Sequence, residues 1–169
     1  EIALCILSAV NVGKIRSDEE LEELCDLAVR GLEELIDYQR YPVLAAEIAT
    51  KARRSLGVGF IGLAHYLAKL GYKYGSQEAW DAVHGLSESF QYYLLKASNK
   101  VAEEKGHCEN FGRTKYADGI LPIDTYKKDV DEICSQPLQH DWESLRASIL
   151  EYGLRHSTLS AQMPSESSS

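Results

Sequence analysis

The sequence predicts an α/β fold, with parallel strands layered against helices, and three observations predict it. The chain opens on Ile2-Ala-Leu-Cys-Ile-Leu-Ser-Ala-Val10, a short apolar run bounded by Asn11 and Gly13, as expected of a strand covered on both faces. A second run, Gly57-Val-Gly-Phe-Ile-Gly62, interleaves apolar residues with glycines between two helical patterns. A third places Ser157, Leu159 and Ala161 in alternation with Thr158, Ser160 and Gln162, and Met163-Pro164 ends it. Strands separated by helical stretches argue for βαβ units.

The chain has 169 residues, 44% of them hydrophobic, enough for one domain burying about 70% of its unfolded surface. With 26 acidic against 18 basic residues the net charge is -8, which argues against a phosphate-backbone binder and so against a nucleic-acid partner. No apolar run approaches the roughly 18 residues of a membrane span, and Glu1-Ile-Ala-Leu4 has neither the basic region nor the cleavage site of a secretory signal. A cytoplasmic location is expected. Cysteines 5, 25, 108 and 134 show no CxxC spacing, which argues against a zinc site and suits reduced thiols. The chain starts inside an apolar strand without Met and stops in Ser165-Glu-Ser-Ser-Ser169, as a piece of a longer polypeptide would.

The opening strand is followed by Ser17-Asp-Glu-Glu20, a capping box with Ser17 as N-cap and Glu20 reaching back to its amide. Leu21, Leu24, Leu27, Ala28, Leu32, Leu35 and Ile36 form the apolar stripe of the helix that starts there, leaving Glu22, Glu23, Asp26, Glu33 and Glu34 at the wet side. Pro42 breaks this helix, and 43–54 reads as a second. Gly57 to Gly62 matches the letters of a dinucleotide-binding GxGxxG. That fingerprint needs a strand before it and a helix opening under its glycines; here Lys51-Ala-Arg-Arg-Ser55 precedes, so the run is itself a strand, leading into a helix over 63–70. Glycines in a strand admit close approach of another backbone.

Ser76 caps the longest helix, through Lys105 to a stop at Gly106, with Trp80, Val83, Leu86, Phe90, Leu94, Ala97 and Val101 as its stripe. Tyr92 and Tyr93 lie about 100° apart on it, one ring in the core and one at the rim, which does not make a radical relay. His107 and Cys108 read as an exposed loop pair. Asp124 is expected to cap a helix through Ile133, and Asp141 one from Trp142 to Tyr152 that Gly153 stops.

Two places carry possible chemistry. Cys5 is either a small core residue or a thiol held on a rigid strand where exchange with a second thiol can be positioned. Pro164, Ser165, Glu166, Ser167 and Ser168 form either a solvated serine-rich terminus or an anion cradle at a strand-to-helix junction, where free amides and hydroxyls converge.

Glu1-Ile-Ala-Leu-Cys5 with Leu7-Ser-Ala-x-Asn11-x-Gly13 resembles the strand of the large, catalytic subunit of class I ribonucleotide reductase that bears one of its two substrate-reducing cysteines. Gln91 to Asn99, Gly119 to Asp129 and Ser157 to Ser168 resemble the same family in the same order. The resemblance implies a segment of a ten-stranded α/β barrel, with Cys5 as the redox thiol and the loop from Pro164 to Ser168 holding the substrate diphosphate. It implies no cofactor bound by this segment; the complete enzyme implies a radical-generating metal small subunit, thioredoxin or glutaredoxin as reductant, a ribonucleoside diphosphate substrate and a homodimer of the complete large subunit. The radical-bearing cysteine and the partner of Cys5 would lie upstream, and the tyrosine pair and shuttle thiols downstream, so the segment alone is expected to be inactive, marginally stable and prone to associate. A non-catalytic helical interaction module and a phosphate-binding domain derived from this family are the rival readings.

Overall fold

The computed structural model describes residues 2, 4–134 and 136–164. Strand β1 (Ile6–Asn11) leads through a 3₁₀ turn (Val12–Lys14) to helices α1 (Asp18–Tyr38) and α2 (Leu44–Arg53), strand β2 (Leu56–Ile61) and helix α3 (Leu63–Lys69). Helix α4 (Gln77–Lys105), the short α5 (Pro122–Thr125) and α6 (Trp142–Tyr152) follow. The two strands are parallel, in the register Ile6↔Leu56 to Asn11↔Ile61. The α/β class is as expected, and the crossover between the strands is made by α1 and α2.

The third strand is reduced to a single parallel bridge, Val58↔Ser160. Its backbone still docks on β2: Leu56 N–H donates to Thr158 O (3.0 Å), Val58 N–H to Leu159 O (2.8 Å) and Ala161 N–H to Val58 O (3.1 Å). Beyond that point a side chain replaces the ladder, Gln162 accepting from Phe60 N–H (2.9 Å) and donating to Phe60 O (3.1 Å).

One face of this sheet lies on helices. Val10, Leu56 and Val58 join Val29, Leu32, Leu94, Leu95 and Ile149 in one core, with α1 packed along α4. The buried stripe of α1 is Leu21, Cys25, Val29, Leu32 and Ile36. It is rotated from the expected one: Leu27 is 57% exposed, whereas Glu33 is only 1% exposed. Val29 and Glu33 are four residues apart and so share a face, and that face turns inward.

The caps hold with two changes. Ser17 accepts from Glu20 N–H (3.3 Å), but Glu20 reaches back to Arg16 N–H (2.7 Å) rather than to Ser17, because Arg16 also grips it with its guanidinium. Asp124 lies inside α5, accepting from Leu121 N–H (2.7 Å) and from Arg146, and the chain to Ile133 is a 3₁₀ turn (Lys128–Glu132) in place of a continuous helix. Ser76 and Asp141 cap α4 and α6, and Gly106 and Gly153 end them at positive φ. Trp80, expected on the buried stripe of α4, is exposed, and its neighbour Ala79 takes the buried position of that first turn. Cys108 is buried under Leu154, whose carbonyl accepts its N–H (3.1 Å). Only His107 of that pair is exposed.

Candidate functional site

Cys5 lies just ahead of β1 and is exposed, the only one of the four cysteines that is. It is not covered on both faces, as the apolar run suggested. A Cβ built on Gly57 would come 3.9 Å from Cys5 Sγ, 2.5 Å from Leu7 Cδ2 and 3.3 Å from Ala161 Cβ. These residues therefore share the face of the sheet opposite the helices. It carries small side chains, a thiol and Leu7, itself 53% exposed, and no helix packs over Cys5 among the described residues.

The glycines of β2 explain how the sheet closes on this side. At Gly59 a Cβ would meet Ala161 O at 2.4 Å and Met163 Sδ at 3.0 Å, so only glycine lets the segment 157–162 pass so close. The GxGxxG letters thus serve strand packing, as expected.

The other thiols are unsuited to exchange. Burial pushes Cys25 up to about 12, with Glu22 and Asp18 adding to it. Cys108 is raised by burial, and Cys134 by desolvation and the neighbouring Asp81. A thiolate is the nucleophile in disulfide chemistry, which leaves Cys5 as the accessible thiol.

The tyrosine pair divides as expected: Tyr93 is buried and donates to Asp18, while Tyr92 stacks on His140 at 4.4 Å. Among the described residues no group of three or more His, Cys, Asp or Glu is placed to hold a metal ion. Two broad clefts, of about 910 and 960 Å³, lie between helices and include neither Cys5 nor Pro164. Pro164 is exposed, and Ser165, Glu166, Ser167 and Ser168 lie outside the described residues.

A charged cluster that patterning missed lies at the amino end of the sheet. Glu33 of α1 accepts from Arg54 Nε (2.7 Å), Arg155 Nε (2.7 Å) and His156 Nε2 (3.0 Å). Arg54 also donates to Asp37 (2.7 Å) and to the Glu33 carbonyl (3.2 Å). Arg54 is the one described non-glycine residue at positive φ (50°), held there by this network and by its N–H on Thr50 O (2.7 Å). Burial alone would raise the Glu33 carboxyl, but hydrogen bonds from His156, Arg54 and Arg155 hold it well below the usual range. Burial lowers His156 despite Glu33, so the ring is neutral: Nε2–H donates to Glu33, and Nδ1 accepts from Ser98 Oγ–H (2.9 Å) on α4. The i+4 step from Val29 to Glu33 was the one available signal.

These features fall in a known family. The family model of the ribonucleotide reductase barrel domain matches residues 1–169, and the chain belongs to that family. It is 61% identical, over its whole length, to the ribonucleoside-diphosphate reductase subunit alpha of Haemophilus influenzae, and 56% identical to that of Buchnera aphidicola from Acyrthosiphon pisum. Against ribonucleoside-diphosphate reductase 1 subunit alpha of Escherichia coli the identity is 58% over 134 residues, 79% of this chain. The chain spans 22% of the length of the first two relatives and 18% of the third.

Proposed function

We propose that this chain is a section of the catalytic barrel of a ribonucleoside-diphosphate reductase large subunit, and that Cys5 is one of its two substrate-reducing thiols. The observation that carries this is the placement of Cys5: it is the exposed thiol among the four, beside Gly57 on the sheet face that no helix covers among the described residues, in a chain matched from end to end by the family. The remaining strands of a ten-stranded barrel would curl over that face and enclose the thiol.

The chemistry balances with a second cysteine from the rest of the subunit. The ribose 2′ hydroxyl leaves as water and hydrogen replaces it, while two thiols give up two electrons and form one disulfide. Radical initiation belongs to residues outside this segment and to a metal-bearing small subunit, and thioredoxin or glutaredoxin would reduce the disulfide again. The segment itself supplies the thiol at the entry to strand β1, whose pairing with β2 begins one residue later. Pro164, Ser165, Glu166, Ser167 and Ser168 supply the second function, gripping the substrate diphosphate through hydroxyls and amides; each such charge-assisted bond is worth about 1.5–3 kcal/mol. A homodimer of the complete subunit in the cytoplasm is the expected setting.

Cys5→Ser in the complete enzyme tests this. Turnover supported by a dithiol is expected to fall to background, with Cys25→Ser, Cys108→Ser and Cys134→Ser retaining it; normal turnover of Cys5→Ser would refute the assignment.

A further inference from the structure

We propose that Glu33, Arg54 and Arg155 are positioning residues for the diphosphate loop, because their buried cluster fixes where along the sheet the segment 157–162 delivers Pro164. It rests on the loop function proposed above and adds to it the device that sets how far along the sheet Pro164 lies from Cys5.

Strand β2 is the common ruler of the two functional parts. On one side it holds β1, and with it Cys5, through a continuous register beginning at Ile6↔Leu56. On its other side it holds the segment 157–162, but there the ladder is irregular. Donors two residues apart on β2, Leu56 and Val58, reach carbonyls only one residue apart, Thr158 and Leu159. Such a bulge leaves one residue of the segment unpaired and disrupts the ladder at its amino end, while Gln162 holds the carboxyl end on Phe60.

The cluster fixes the amino end of the segment, where that ladder is interrupted. Arg54 stands two residues before Leu56, and Arg155 and His156 directly precede Ser157; all three converge on the one carboxylate of Glu33, both of whose oxygens are engaged. Arg155 also donates to Gly106 O (3.1 Å), and Ser157 N–H to Arg53 O (2.9 Å). A slip of one residue would move the segment by about 3.3 Å. That would break the Arg155–Glu33 contact at 2.7 Å and the His156–Glu33 contact at 3.0 Å, while Arg54 keeps Glu33 tied to the start of β2. The same slip would displace Pro164, and a displacement of even about 1 Å is enough to cost a reaction of this kind about a hundredfold.

The test uses the complete large subunit with its small subunit, and reads KM for a ribonucleoside diphosphate, kcat and the alkylation rate of Cys5. Glu33→Gln and the milder Arg155→Lys are expected to raise KM about tenfold or more, with a smaller fall in kcat and Cys5 alkylation within about twofold of wild type. Glu33→Asp, which keeps the charge, is expected to recover most of the KM change. Wild-type KM in both Glu33→Gln and Arg155→Lys, whatever their melting temperatures, would overturn the positioning role. Ser167→Ala separates the two levels. If it raises KM while the cluster variants do not, the positioning role alone fails; if it leaves KM unchanged, the loop function fails and the positioning role with it.

Discussion

The two faces of the sheet are made of opposite materials. On the helix side Val10, Leu56 and Val58 are sealed into the core, and the amino ends of the strands are pinned by a buried carboxylate with two arginines and a histidine. On the other side stand Cys5, Leu7, Gly57 and Ala161, small or exposed, with no helix over Cys5 among the described residues. The difference teaches that support and accessibility are separated: the helix side holds the strands in place, and the open side leaves the Cys5 thiol accessible.

The largest effect is expected on the helix side. Glu33→Leu leaves the buried Arg54 with Asp37 alone and the part-buried Arg155 and buried His156 without their carboxylate, and removal of one partner of a buried ion pair costs up to about 3–5 kcal/mol. Denaturant unfolding of the complete subunit checks this; a loss below about 1 kcal/mol would show that the cluster does not hold the helix side together.

The fold was legible in the sequence wherever local chemistry acts alone. The Ser17, Ser76 and Asp141 caps, the stop at Gly153 and the strand at 56–61 all follow from neighbours a few residues away. What escaped depends on contacts between parts of the chain far apart in sequence. Glu33 looks like one more acid on a wet face until Arg155 and His156 arrive from the far end of the chain. Leu27 and Leu35 fit an apolar period, yet the inward face of α1 is chosen by α4 and the sheet, and both remain exposed. Cys5 reads as part of a covered strand but lies one residue before β1 and is exposed, because an apolar run does not say where pairing starts or which face has a cover.

A second prediction compares two glycines of one strand. Gly59→Ala drives a methyl against a backbone carbonyl at 2.4 Å, which must move, and overpacking of this kind costs about 1–3 kcal/mol. Gly57→Ala meets mainly the mobile end of Leu7 and is expected to cost less than about 1 kcal/mol. Equal losses in thermal unfolding would mean that the segment 157–162 does not press on β2 as described.

Acid should weaken the helix side by a smaller, graded amount. His156 is lowered by burial from 6.5, so the unfolded chain binds a proton that the folded one refuses, and stability falls as pH drops below about 6.5. Glu33 is held below its ordinary 4.5, so its contribution is present above that pH and is lost as pH falls through and below it. His156→Asn is expected to flatten the upper part of this decline and to leave the lower part, as followed by unfolding between pH 4 and 7. An unchanged profile would place the upper titration elsewhere.

The open face is tested most directly by the redox state of four thiols after one turnover. The complete enzyme, given substrate but no external reductant, is quenched with an alkylating reagent and mapped by peptide mass spectrometry. Cys5 is expected in a disulfide with a cysteine from outside this segment, while Cys25, Cys108 and Cys134 are recovered as free thiols. Recovery of Cys5 as a free thiol after product has formed would contradict the account.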